Sequence, residues 1–200
     1  MKLIIITSPD IMSGEASAIC CLLDAGVDRV HLRKPYGQRD DYERIIMQIP
    51  EVYRGRVVVH DYFELHDKYM LGGIHLNSRN SLIPSGFGGT VSCSCHSFAD
   101  VTERKHIVDY MFLSPIFDSI SKAGYLSAFS EDSLHRASAD GIIDSKVMAL
   151  GGVTFECIPL LERLSFGGAV MLGDVWSRIA DGGIDAVCTD IKEIKNSTLL

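Results

Sequence analysis

The chain lacks any stretch of about 18 consecutive apolar residues, the length a membrane-spanning helix requires. Its opening, MKLIIITSPD, holds an apolar run too short for the core of a secretory signal. A cytoplasmic protein is therefore expected. Positive charge is also scarce: 19 Lys and Arg stand against 26 Asp and Glu, a formal net charge of -7. That balance argues against nucleic acid or a membrane as partner. It leaves room for a small phosphorylated ligand, whose binding depends on local charge. Paired cysteine motifs are missing too. Cys20, Cys21, Cys93, Cys95, Cys157 and Cys188 include no C-x-x-C and no zinc-like spacing, so all are read as reduced thiols. No linker or low-complexity tract interrupts the 200 residues, 46% of them hydrophobic, and 1–200 is read as one domain with one sizeable core.

What the chain does have is a repeated alternation. Short β-branched runs fall at 3–7, 29–33, 57–61, 73–77, 91–96, 109–115, 146–152 and 168–174, each bounded by Gly, Pro, Asp or Ser. Between them lie amphipathic stretches such as ASAICCLLDAG, DDYERIIMQI, SFADVTERKH, SEDSLHRASAD and TFECIPLLERL, several opening on a Ser, Thr or Asp cap. Eight such units in 200 residues predict an α/β fold, a (β/α)8 TIM barrel, rather than an open doubly wound sheet. The segment SRNSLIPSGFGG, after the fourth strand, predicts only a short or irregular helix.

In such a barrel alternate strand residues point inward, and chemistry gathers at the C-terminal strand ends. Alternation places His31 and Arg33 on one face, and likewise His75 with Asn77 and Ser94 with His96; His60 and Asp61 end the third strand. Inward polar groups without partners cost roughly 1–3 kcal/mol each, so this convergence predicts a ligand site. Gly151, Gly152 and Gly173 end the last two strands, where backbone N–H groups can approach a phosphate. Asp174 would repel a phosphate and is expected to turn away or cap the next helix. The loop FLSPIFDSISKAGY brings Ser119, Ser121 and Lys122 together after the sixth strand, two hydroxyls and an ammonium suited to an anion. Trp176 is expected to pack in the core.

These motifs, taken in order, resemble the family of thiamine-phosphate synthase and its relative, the thiazole tautomerase. HLRKP resembles the second-strand signature Q-L-R-E-K, keeping Arg33, with Lys34 one position ahead of the usual lysine, which is Pro35 here. HD at 60–61 keeps the Asp of an Asn-Asp pair, and GIHLNSRN resembles G-V-H-L-G-Q-x-D with Asn80 at the acidic position. SCHS resembles S-T-H-T, and SPIFDSISK resembles G-P-I-F-x-T-x-T-K with serines for threonines.

The resemblance implies a single (β/α)8 barrel that joins an aminopyrimidine diphosphate to a thiazole phosphate and releases pyrophosphate. It implies Mg2+ as cofactor, held by Asp61 and Asn80. Arg33, Lys34 and Lys122 would be the catalytic charges. His31, His60, Asn77, Ser94, His96, Ser119, Ser121, Gly151, Gly152 and Gly173 would complete the substrate site. Its partners would be phosphorylated pyrimidine and thiazole small molecules, and a homo-oligomer is open. A tautomerase would carry His where Pro115 stands. Other readings remain: a tautomerase-like protein, a non-catalytic binder of phosphorylated thiamine precursors, or another phosphate-ligand barrel enzyme.

Overall fold

A computed structural model describes residues 1–118 and 127–197. The strands are β1 (Lys2–Ile6), β2 (Arg29–Leu32), β3 (Val57–Val59), β4 (Gly73–Leu76), β5 (Val91–Cys95), β6 (Tyr110–Leu113), β7 (Val147–Leu150) and β8 (Gly168–Met171). All neighbours pair in parallel, and β8 returns to β1 through Leu3↔Ala169 and Ile4↔Val170, closing an eight-stranded barrel. Around it lie α1 (Glu15–Ala25), α2 (Arg39–Gln48), α3 (Glu51–Arg54), α4 (Glu64–Tyr69), α5 (Phe98–Arg104), α6 (Glu131–Ala139), α7 (Ile158–Arg163), α8 (Gly173–Gly182) and α9 (Ile184–Ser197). The (β/α)8 expectation holds. No helix among the described residues is long and apolar enough to cross a membrane.

Alternation divides each strand between two apolar layers. Outward residues such as Leu3, Ile5, Val30, Leu32, Val57 and Val59 pack on the helices in one continuous core. Inward residues Ile4, Ile6, Tyr110, Phe112, Met148 and Val170 fill the barrel itself. Two helices end as their sequences dictate. Gly26 takes a left-handed conformation after α1, and its N–H returns to Leu22 and Leu23 carbonyls. Ser97 opens α5 with a reciprocal capping box to Asp100.

The structure departs from expectation in places. Between β4 and β5 no helix forms; Pro84, Gly86, Gly88 and Gly89 leave residues 77–90 as irregular chain. Pro159 stands at the start of α7, where its missing N–H costs nothing, and a 3-10 turn at Phe155–Cys157 precedes it. Asp174 does turn away, paired with Arg178 one turn along α8 at 3.1 Å. Trp176 packs against the core and donates its indole N–H to the Ile6 carbonyl at 2.8 Å, pinning α8 to β1. All six cysteines are free.

The paired glycines after β7 serve a close chain crossing. The segment after β6 runs alongside them, with Ile116 N–H bonded to Leu150 O and Phe117 N–H to Gly151 O. Gly152 has φ +63°, and a Cβ there would lie 2.3 Å from Asp118 O. Gly152→Ala is expected to destabilise the fold by about 1–3 kcal/mol, through backbone strain and the collision. A thermal midpoint equal to the parent's would contradict that packing.

Candidate active site

The barrel interior carries a polar core threaded between its apolar layers. His31 from β2 is fully buried and bonds through Nδ1 to His60 Nε2 at 3.0 Å and through Nε2 to the Tyr110 hydroxyl at 2.8 Å. His75 from β4 lies between two hydroxyls, Ser92 Oγ on Nδ1 at 2.9 Å and Ser94 Oγ on Nε2 at 3.0 Å. The His60 and His75 rings stack at 4.2 Å, and Phe112 closes the cluster against His75 at 4.7 Å. Desolvation holds His31 and His60 well below the usual imidazole range, with neighbouring rings and arginines adding to it. His75 is pushed down to about 3, first by burial and then by the Arg33 charge. All three rings are therefore neutral at pH 7.

Above them a cavity of about 440 Å³ opens at the C-terminal strand ends. It is lined by Arg33, His60, Asn77, Ser94 and His96, five residues that the sequence places at those ends. Arg79 and Arg104 join them. Arg33 is anchored by its backbone, its N–H donating to Thr7 Oγ1 at 2.9 Å, while its guanidinium has no partner among the described residues. Asn77 donates to the His60 carbonyl at 2.6 Å and receives the Arg79 N–H at 2.9 Å, which folds the loop after β4 tightly. His96 meets the Ser114 carbonyl at 3.0 Å. Ser94 beside His75 resembles a nucleophile and base. An imidazole held near pKa 3 is a poor base at neutral pH, and its far nitrogen meets a serine rather than a carboxylate.

Asp61 and Asn80 do meet, in a neighbouring cavity of about 400 Å³ that Arg79 also lines. Asn80 Nδ2 donates to Asp61 Oδ1 at 2.8 Å. The same carboxylate takes Arg79 Nε at 3.2 Å and Nη2 at 2.9–3.1 Å, and the Tyr42 hydroxyl at 3.0 Å. Burial first, then the Asp61 charge, raises the Tyr42 phenol well above its ordinary value, so it stays a donor.

The structure places Lys34, expected as a catalytic charge, in a buried ion pair. Its ammonium turns behind the strand, donating to the Ser8 and Asp10 carbonyls at 2.7 and 2.8 Å and ion-pairing with Glu15 at the start of α1. The two side chains are 0% and 1% exposed. Burial raises the Glu15 carboxyl and lowers the Lys34 ammonium, both against the opposing pull of the pair. Glu15 Oε2 has no hydrogen-bond partner among the described residues. His31 likewise lies in the interior network beneath the mouth, with both ring nitrogens engaged by protein. Ser119, Ser121 and Lys122 lie outside the described residues. Gly173 opens α8, with its helix N-terminus beside β8.

Several participants escaped the sequence. Tyr110 lies in an apolar strand, Thr7 just after one, and Glu15 and Tyr42 on α1 and α2, with no motif around them. Arg79 had a signal: it is a charge at the tip of a Ser-Arg-Asn-Ser loop directly after a strand end.

The family model for "Thiamine monophosphate synthase" matches residues 3–175. This chain belongs to the thiamine monophosphate synthase family. It is 41% identical to a thiamine phosphate pyrophosphorylase from Bacteroides thetaiotaomicron, with TM-score 0.87 over 98% of this chain and 96% of that one. A thiamine-phosphate synthase from Photorhabdus laumondii is 24% identical over 163 residues, covering 77% of this chain and 75% of that protein. A thiamine phosphate pyrophosphorylase from Pyrococcus furiosus, 15% identical with TM-score 0.78 over 100% and 97% of the two chains, shares the fold.

Membership in the thiamine monophosphate synthase family brings a phosphate-binding, Mg2+-dependent class of enzyme. The donor set of this chain does not fit the ion. Mg2+ prefers charged oxygen ligands in a near-octahedral shell. Asp61 offers one carboxylate already covered by donors, and Asn80 presents its amide N–H to it. Among the described residues, His31, His60 and His75 form the one cluster dense enough in His, Cys, Asp or Glu to hold a metal. Both nitrogens of His31 and of His75, and Nε2 of His60, are already hydrogen bonded.

Removing one partner of a buried ion pair strands the other, typically at about 3–5 kcal/mol. Lys34→Met should lose about that much stability by urea denaturation, and adding Glu15→Leu should restore most of it. A single variant of unchanged stability but weakened pyrophosphate binding would instead make Lys34 a substrate contact. The buried histidines set a pH dependence. They are neutral when folded and titrate near 6.5 when unfolded, so the unfolded chain takes up protons preferentially below that pH. Stability from burying neutral rings is complete above about 6.5 and falls as pH drops toward the folded value, about 3 for His75, by up to roughly 1.4 kcal/mol per pH unit for each ring. NMR titration of the His75 ring should show no protonation above pH 4; a midpoint near 6.5 would refute the buried network.

Proposed function

We infer that this chain is a transferase that couples an aminopyrimidine diphosphate to a thiazole phosphate, giving thiamine phosphate and pyrophosphate. The observation that carries the reading is the cavity at the C-terminal mouth, where Arg33 and Arg79 converge with Asn77, Ser94 and His96 in a chain of this family. The reaction breaks the bond between the pyrimidine CH2 and the diphosphate oxygen, and pyrophosphate leaves with the electron pair. The thiazole nitrogen then supplies its lone pair to form the new C–N bond. No protein nucleophile is required, and the weak His75 base suits that chemistry.

The protein's task is to stabilise charge on the leaving group and to align two rings. Two guanidinium groups at the mouth meet the first need, since their forked N–H donors match phosphate oxygens. Asn77, Ser94 and His96 line the same cavity and supply directional contacts for the rings. Backbone N–H groups near Gly151 and Gly152 and at the α8 N-terminus by Gly173 suit the thiazole phosphate. Ser119, Ser121 and Lys122 belong to this anion site in the proposal. The partners are phosphorylated pyrimidine and thiazole molecules in the cytoplasm.

Purified protein supplied with both precursors should form thiamine phosphate. Arg33→Ala should lower kcat/KM at least tenfold, about 1.4 kcal/mol of transition-state stabilisation, with the fold intact by circular dichroism. Full activity in Arg33→Ala would remove the mouth cavity as the reaction site.

A further inference from the structure

We propose that Arg79 supplies from the chain itself the cationic charge between Asp61 and a bound diphosphate, so that diphosphate binds here without a divalent cation. The proposal rests on the reading of the mouth as a diphosphate site and adds how its charge is balanced.

The Asp61 carboxylate has about four acceptor positions, and it receives Arg79 Nε, Arg79 Nη2, Asn80 Nδ2 and the Tyr42 hydroxyl. A metal ion would have to displace a forked guanidinium and then share its space with that positive charge. Asp61 and Arg79 sum to zero formal charge and Asn80 adds none. The site is neutral with no ion, so it offers no electrostatic gain for a divalent cation. A neutral carbonyl from Asn80 is a weak substitute for a second carboxylate toward a hard ion.

The same geometry leaves Arg79 able to hold an anion. Its side chain is 45% exposed, against 15% for Asp61, and it lines both cavities at the mouth. The contacts to Asp61 use Nε and Nη2, leaving Nη1 without a partner among the described residues. The loop is held by Asn77, whose Oδ1 accepts the N–H groups of Arg79 and Asn80 at 2.9 and 3.2 Å. A preorganised guanidinium gives its hydrogen bonds to phosphate with little ordering cost. Arg33, lining the same cavity, supplies the second.

Calorimetry with pyrophosphate, in EDTA and then in Mg2+, tests this on the whole protein. The parent should bind in EDTA within about threefold of its affinity in Mg2+. Arg79→Gln should weaken EDTA binding at least tenfold, about 1.4 kcal/mol. In Arg79→Gln combined with Asn80→Asp, added Mg2+ should restore the lost affinity. Parent binding that appears only with Mg2+, or unchanged EDTA affinity in Arg79→Gln, overturns the proposal. The coupling assay run in the two buffers separates it from the functional reading. Product in EDTA that Arg79→Gln abolishes supports both. Product only with Mg2+ overturns the arginine proposal and keeps the transferase. Arg79-dependent pyrophosphate binding in EDTA with no product in either buffer keeps the proposal and overturns the transferase.

Discussion

Closing eight parallel strands into a barrel points alternate side chains of every strand into one narrow space, where a polar atom must find a protein partner or leave the fold weaker. That constraint organises the rest of the molecule. Beside the apolar side chains that fill the barrel, the interior pairs its polar atoms: His31, His60 and His75 are knitted by Tyr110, Ser92 and Ser94. Each ring is fixed in place by contacts from a different strand, so the network also sets the relative positions of β2 through β6. Burial then keeps the rings uncharged.

The consequence for chemistry is a separation of roles by height. The histidine cluster in the middle of the barrel is neutral and hydrogen bonded, and it provides a floor that does not readily accept protons. At the mouth, charge sits on arginines whose backbones are fastened, Arg33 by Thr7 and Arg79 through Asn77. In the proposed reaction a leaving group that carries negative charge would meet those cations, with a neutral floor below that adds no competing charge.

Charge at a strand end does not by itself mean chemistry. Lys34 follows Arg33 directly, yet its ammonium is used to hold Glu15 and the loop carbonyls of Ser8 and Asp10. It binds α1 and the β1–α1 loop to β2 at an electrostatic cost that both its own lowered pKa and the raised pKa of Glu15 record. Arg79 shows the converse: an inconspicuous loop residue becomes the charge partner of Asp61, 18 positions earlier in the chain.

The sequence by itself determined the eight-fold alternation, the barrel, and the inward positions of His31, His75 and Ser94, because side-chain direction in a strand follows parity. It also carried the family, through motifs at the strand ends that the match over residues 3–175 agrees with. What parity cannot reach is any residue past the last strand position, where the backbone turns freely. Whether Lys34 faced the ligand or Glu15, and whether Asp61 faced an ion or Arg79, depended on which loops the closed barrel brought together. The irregular chain at 77–90 was decided in the same way, since the β4–β5 connection needed only to cross the mouth and its Pro and Gly residues favoured no helix. Only tertiary structure supplies those distances, since the burial that sets each charge's partner comes from elements far apart in the chain.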